Sequence, residues 1–254
     1  MSGDVISWPW LAFAIFAGGF LDAVAGGGGL ITLPAFLAAG LPAASALGTN
    51  KLVAVTGSLT STLRYARARL VDPAALPLAA LTFAGALAGA GTAVAIPERV
   101  LKPVLIVLLV GALVAVLWQQ RIARGDRGDA PAAFSPWIWA GALGLGFYDG
   151  FFGPGMGTFC LALLATAGRM GLTRAAGNAK LLNFGSNLGA ILLFGFRGTP
   201  HALLGLSLIP VMVAGSWLGA TFAVKRGAPA IRALLAVSVL SLCAKLGWDL
   251  WRAG

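Results

Sequence analysis

Gly19-Phe20-Leu21-Asp22-Ala23-Val24-Ala25-Gly26-Gly27-Gly28-Gly29 and Gly146-Phe147-Tyr148-Asp149-Gly150-Phe151-Phe152-Gly153-Pro154-Gly155-Met156-Gly157 are two versions of one glycine-rich turn. Each lies inside a long apolar stretch and carries one aspartate. A helix weakened by glycines and a carboxylate within an apolar run are both disfavoured in hydrocarbon. Their coincidence, twice in one chain, marks a site.

Composition sets the class around these turns. The chain is 59% hydrophobic and 10% charged, with mean hydropathy +0.90. That is too little polar surface to cover a soluble globule, and the apolar stretches recur along the whole length, as in a polytopic membrane protein. The net charge of +10 does not point to nucleic acid, because the basic residues sit in short loops between apolar segments, where they set topology. Cys160 and Cys243 fall within apolar segments and read as free packing residues. Met1 to Asp4 lacks a basic n-region and the following stretch runs past any cleavage point, so no cleavable signal peptide is expected. No cofactor or metal motif is present in the sequence.

The apolar segments run at about 8–26, 28–40, 45–66, 74–96, 99–119, 135–152, 155–168, 176–196, 201–224 and 228–251. Pro42, Pro73, Pro97, Pro136, Pro200 and Pro229 fall between them. The stretch 120–133 is polar enough to be a linker, predicted to be cytoplasmic, between a first transmembrane repeat at 1–119 and a second at 134–254. The halves repeat one another: Trp8 and Trp10 correspond to Trp137 and Trp139, Gly48, Lys51 and Leu52 to Gly177, Lys180 and Leu181, Gly57-Ser58 to Gly185-Ser186, Gly85, Gly89 and Ala90 to Gly215, Gly219 and Ala220, and Trp118 to Trp248. The offset drifts only between 127 and 130 residues, which identifies an internal duplication.

Charge decides how the copies are oriented. If 8–40 crosses once, loop Lys/Arg divide 8 against 7. If 8–40 and 135–168 each enter and return at the glycine turn, Arg64, Arg67, Arg69, Arg121, Arg124, Arg127, Arg169, Arg174, Lys225, Arg226 and Arg232 share one face, 11 against 4. The positive-inside rule selects the second arrangement. It predicts an all-α polytopic membrane protein of two inverted repeats, each of about five helical segments, with broken or re-entrant helix hairpins at the glycine turns and both termini outside. The second limbs are too short to span hydrocarbon, which takes about 20 residues, so they start within it. A helix N-terminus presents unpaired N–H groups and roughly half a positive charge, and glycine admits a ligand close to that backbone. Anions suit such a site.

The segment 19–34, followed by Ala46-Leu47-Gly48-Thr49-Asn50-Lys51-Leu52, resembles the sulfite exporter TauE/SafE family of permeases. The second glycine turn and Gly177-Asn178-Ala179-Lys180-Leu181 extend the resemblance over nearly the whole chain. It implies a multi-pass inner-membrane transporter of small sulfur-containing anions, such as sulfite, thiosulfate or organosulfonates. Pro154 and Met156 interrupt the second glycine run, so the two half-sites need not be equivalent.

The substrate-binding residues expected are Gly26, Gly27, Gly28 and Gly29 with Asn50 and Lys51 in the first half, and Gly153, Gly155 and Gly157 with Asn178 and Lys180 in the second. Asp22 and Asp149 are candidates for proton coupling or gating. Thr49, Ser58, Asn183, Ser186 and Asn187 lie on the same segments and offer further donors. Competing readings exist: the glycines as helix-packing positions, the aspartates as structural groups paired with a lysine, and the lysines as snorkelling to an interface. His201 reads as an interfacial residue, and the tryptophans as interface anchors. Glycine-rich faces on 81–92 and 211–222 suit either internal packing or a homo-oligomer contact.

Export of a divalent anion from a cell that is negative inside gains about 4.6 kcal/mol per 100 mV and needs no coupling ion, whereas import does. Two other classes share some features. A passive anion channel would use the same site. An intramembrane aspartyl hydrolase needs two carboxylates sharing a proton, and each aspartate here comes with its own lysine and asparagine. A serine hydrolase needs a mid-segment histidine base, which the chain lacks.

Overall fold

A computed structural model of the chain describes residues 8–119, 134–229 and 231. The linker 120–133, the last apolar segment beyond 231, and with it Cys243, Trp248, Asp249 and Trp251 lie outside the described residues. Among those described, every regular element is helical: α1 (Trp8–Ala25), α2 (Gly29–Ala38), α3 (Ala43–Arg67), α4 (Leu76–Ala95, entered by a 3-10 turn at Pro73–Ala75), α5 (Glu98–Gln119), α6 (Pro136–Phe151), α7 (Met156–Thr166), α8 (Leu172–Phe196) and α9 (Ala202–Arg226). The helices follow the apolar segments, and the prolines cap them as expected: Pro42 precedes α3 and Pro136 opens α6. α8 starts earlier than its apolar run because Arg174, in its first turn, is engaged by Asp72.

α1, α4 with its entry turn, α8 and α9 are each long and apolar enough to cross a membrane. α2 and α7 have 10 and 11 residues. At 1.5 Å per residue each extends roughly 15 Å, about half the hydrocarbon thickness. α3 has 25 residues but is too polar for the same test, since it carries Asn50, Lys51 and a run of hydroxyls. Thr56, Ser58, Thr60, Ser61 and Thr62 return their hydroxyl protons to carbonyls one turn back on their own helix, which lets this helix sit among apolar neighbours. Its first N–H groups have no side-chain cap from Pro42. Glu98 of α5 supplies one, accepting from Ala43 N at 2.5 Å and Ala44 N at 3.4 Å.

Each short helix folds back along the helix before it. A Cβ on Gly18 of α1 would meet Thr32 of α2, and one on Gly141 of α6 would meet Leu163 of α7. Contacts between the halves repeat in register. Gly85 and Gly89 of α4 lie against the Leu143 and Phe147 carbonyls of α6, and Gly215 and Gly219 of α9 lie against the Phe16 and Phe20 carbonyls of α1. In both pairs the helices run parallel and approach too closely for any side chain. These glycines therefore pack inside one chain.

α3 and α8, which correspond under the duplication, run antiparallel. The start of α3 meets the loop after α8, where Thr49 Oγ1 accepts from His201 N at 2.8 Å, and the start of α8 meets the loop after α3, where Asn178 Oδ1 accepts from Asp72 N at 2.8 Å. Buried apolar side chains form two clusters. One joins α2, α5 and the starts of α1, α3 and α9 with the ends of α4 and α8; the other joins α6, α7 and the starts of α4 and α8 with the ends of α1, α3 and α9. Large apolar side chains such as Trp137 (80% exposed), Phe196 (89%) and Leu203 (79%) cover the outside, as a lipid-facing surface requires. Trp8, Trp10 and Trp137 stand exposed at helix starts, where interface anchors belong.

Candidate functional site

Both glycine turns break their helices. The chain leaves α1 at Ala25 and enters α2 at Gly29; it leaves α6 at Phe151 and enters α7 at Met156. Gly26 (φ 82°), Gly153 (φ 101°) and Gly155 (φ 86°) adopt the left-handed conformation, which costs an L side chain roughly 1–2 kcal/mol. The turns also abut. A Cβ on Gly26 would strike the Gly157 backbone, Gly29 lies against Pro154, and Thr158 Oγ1 donates to the Ala25 carbonyl at 2.8 Å. The N-terminal ends of α2 and α7 therefore meet, one from each half.

The two ends are built differently. Among the described residues no acceptor faces the N–H of Gly27 or Gly28. At the matching place the second turn has Pro154, which has no N–H, and its carbonyl is held by the Tyr148 hydroxyl at 2.6 Å.

The charged residues pair across the halves. Lys51 Nζ lies 2.6 Å from Asp149 Oδ1, and Lys180 Nζ lies 2.9 Å from Asp22 Oδ2. Each half's lysine thus neutralises the other half's aspartate. The antiparallel crossing of α3 and α8 is the cause, since it carries each lysine to the opposite glycine turn. Both lysines are 2% exposed, so neither snorkels to an interface. Asp149 is equally buried and also accepts from Ser186 Oγ at 2.5 Å, whereas Asp22 keeps 21% of its side chain exposed. Each carboxylate is held by a lysine, an arrangement unlike the shared-proton pair of an aspartyl hydrolase.

Between these groups lies a cavity with an empty volume of about 420 Å³, its open mouth included. Of the expected site residues, Asp22, Gly26, Gly28, Gly29, Asn50, Lys51, Asp149 and Gly153 line it. Gly27, Gly155, Gly157 and Lys180 are not among the lining residues; Lys180 reaches the lining through Asp22, and Gly157 lies against Gly26. Asn178 is placed elsewhere. It sits in a loop cluster, donating to Asp72 Oδ2 at 3.1 Å, while the Arg174 guanidinium pairs with the same carboxylate. The hydrogen bonds from Arg174 hold the Asp72 carboxyl below its usual range, against the opposing effect of partial burial and with a further lowering from Asn178.

Several lining residues had a weak sequence signal or none. Asn183 and Asn187 follow Lys180 at positions +3 and +7, one helical face, and both line the cavity. Thr32, Gly18, Ala54 and Met212 also line it; nothing in their local sequence separates them from packing residues. His201 caps α9, its Nδ1 accepting from Leu204 N at 3.3 Å. Cys160 is a buried free thiol, as expected.

No solved structure matches the chain. Among known sequences it is 39% identical over 240 residues to the probable membrane transporter protein ORF9 of a Sinorhizobium species, covering 93% of this chain and 91% of that protein. It is 34% identical over 240 residues to the probable membrane transporter protein YfcA of Escherichia coli K12, covering 94% and 89%. It is 34% identical over 235 residues to a probable membrane transporter protein of Haemophilus influenzae, covering 92% of each. The family described as Sulfite exporter TauE/SafE matches residues 11–246, and multi-pass transporter architecture agrees with the helices above. The chain belongs to the sulfite exporter TauE/SafE family of membrane transporters.

Proposed function

We propose that the protein carries small sulfur-containing anions, such as sulfite, thiosulfate or organosulfonates, out of the cell across the inner membrane by alternating access. The observation that carries the reading is the buried Lys51 ammonium, which lines a cavity together with glycine backbone at the meeting point of two half-helices. A buried cation and free helix N-terminal amides favour the same sign of solute. The sulfur chemistry of that solute follows from the family, not from the cavity.

The halves are read as inverted copies. A two-fold axis in the membrane plane makes corresponding helices antiparallel, whereas an axis along the normal makes them parallel; α3 and α8 supply the antiparallel case. Rocking one half against the other then works on both ion pairs, because each spans the two halves. An arriving anion competes with Asp149 for Lys51, and a proton taken up by either aspartate frees a lysine for it. Export down the membrane potential needs no such proton; import does.

The test is uptake and counter-transport of labelled sulfite, thiosulfate and methanesulfonate in proteoliposomes. Saturable flux that accelerates with substrate on the far side is expected, and non-saturating flux without counter-transport identifies a channel. Lys51→Ala and Lys180→Ala, correctly inserted, should each abolish saturable flux. Unchanged flux and affinity in both variants would remove the lysines from the site.

A further inference from the structure

The amides around Lys51 have a direction that hydrogen-bond chemistry fixes. An ammonium only donates, so the Asn187 atom 3.1 Å from Lys51 Nζ must be the carbonyl oxygen. The Asn187 Nδ2 group therefore points the other way, donating to Ser58 Oγ at 3.4 Å and to Asn183 Oδ1. Asn183, one turn earlier on α8, is in consequence held with its oxygen towards Asn187 and its amide nitrogen away from it. On α3 a second amide is oriented independently: the Thr32 hydroxyl donates to Asn50 Oδ1 at 2.6 Å, the nearer of its two acceptors, Gly28 O lying at 3.3 Å.

Asn50 and Asn183 both line the cavity and are 4% and 5% exposed. Among the described residues neither Nδ2 group has an acceptor. Buried amide donors normally have partners, and two that lack them border the same void as the Lys51 ammonium.

Resting on the reading of this cavity as an anion site, we infer that Asn183 and Asn50 form a donor pair that selects anions carrying two or more acceptor oxygens on one centre over spherical anions. Asn187 acts as the positioning residue for Asn183, and Lys51 orients Asn187. An oxyanion accepts from both amides through separate oxygens while keeping its charge near Lys51. A halide offers one centre and cannot satisfy two separately placed donors as well. Lys51 thus contributes twice, as the charge and as the group that sets the direction of the amide relay.

The experiment is a binding titration of the full chain in nanodiscs with sulfite, methanesulfonate, nitrate, acetate and chloride, read as the ratio of oxyanion to chloride affinity. The wild type should prefer at least one oxyanion. Asn183→Ala should lower that oxyanion's affinity about tenfold, the usual loss of a hydrogen bond to a charged group, and leave chloride within about twofold, because no charge is removed. Asn187→Ala should shift the ratio in the same direction, although Asn187 only aims its neighbour. If Asn183→Ala does not fold, Asn183→Asp keeps the shape and the acceptor for Asn187 while removing the donor; read with methanesulfonate, nitrate and acetate, which carry the same single charge as chloride, the ratio cancels the effect of its added charge. A wild type that prefers chloride, or a ratio unchanged in the Asn183 variant, overturns the inference. Oxyanion binding with the expected ratios but no saturable flux sinks the carrier reading alone. Sulfur-anion flux with an unmoved ratio sinks the donor pair alone.

Discussion

The two glycine turns match one another in sequence pattern and differ in how firmly they are held. The second is pinned: Tyr148 holds its Pro154 carbonyl, Thr158 ties it to Ala25, and its Asp149 is fully enclosed between Lys51 and Ser186. The first contributes three of the four turn glycines that border the cavity, leaves the amides of Gly27 and Gly28 without acceptors among the described residues, and has the more exposed aspartate. The two turns thus differ in what they offer. One turn is a support, and the other presents backbone to the cavity. Pro154 is the sequence change most directly responsible, since proline deletes the donor that Gly27 retains.

The sharpest way to break this contrast is to remove each lysine. Lys51→Met strands Asp149 with 2% exposure, and losing one partner of a buried pair costs about 3–5 kcal/mol. Lys180→Met strands Asp22, which lines the cavity and keeps 21% of its side chain exposed, so its cost should be about 1–2 kcal/mol, nearer that of an exposed pair. Thermal melting of both variants in the same detergent checks the order. Restoration of much of the loss in Lys51→Met/Asp149→Leu would show that the penalty belongs to the stranded carboxylate. Equal losses in the two single variants would mean that both turns are equally enclosed.

A second comparison lies within the first turn. Gly26 needs a left-handed backbone and has the Gly157 backbone where a Cβ would go, so Gly26→Ala combines strain with overpacking, together roughly 2 kcal/mol or more. Gly27 has an ordinary φ and only Thr158 Oγ1, at 4.0 Å, near its Cβ position. Gly27→Ala should therefore melt within about 0.5 kcal/mol of wild type, as an unstrained substitution in open space does. Its effect should fall on anion affinity instead, because the new methyl stands beside the free amides.

Much of this plan was legible in the chain because hydrocarbon enforces simple rules. Segment boundaries followed from proline and polarity, and the short second limbs from the glycine runs. The duplication also implied that whatever one turn offers, the other offers in altered form. The crossed pairing of Lys51 with Asp149 was not legible. Spacing within one half places Asp22 and Lys51 as natural neighbours, and only the antiparallel crossing of α3 and α8 exchanges the partners. Asn178 shows the same limit. It sits two residues before Lys180 in sequence, yet on a helix that spacing puts the two side chains about 200° apart, and it turns to Asp72 while Lys180 turns to Asp22. Asn183 and Asn187 share a helical face with Lys180, a pattern that a search by face around each lysine would recover.

The smallest expected effect contrasts the two loops that hold the starts of α3 and α8. Both use the same backbone bond, His201 N to Thr49 and Asp72 N to Asn178, but the second adds the Asp72–Arg174 pair. Because Arg174 lowers the folded-state pKa of Asp72, the folded protein binds fewer protons there than the unfolded chain. The stabilisation is complete above the unfolded value of about 3.9 and disappears as pH falls through the lower folded value. The pair is partly exposed, with Arg174 at 32%, so its contribution is about 0.5–1 kcal/mol. Wild type should therefore melt slightly higher than Asp72→Asn at pH 7, and the gap should close as the pH is taken below about 3.9. His201→Asn, at the corresponding position, should leave the carboxylate contribution untouched, so its melting difference from wild type should show no such closing in that acid range. A gap in Asp72→Asn that persists in acid would assign the stabilisation to the Asn178 hydrogen bonds rather than to the ion pair.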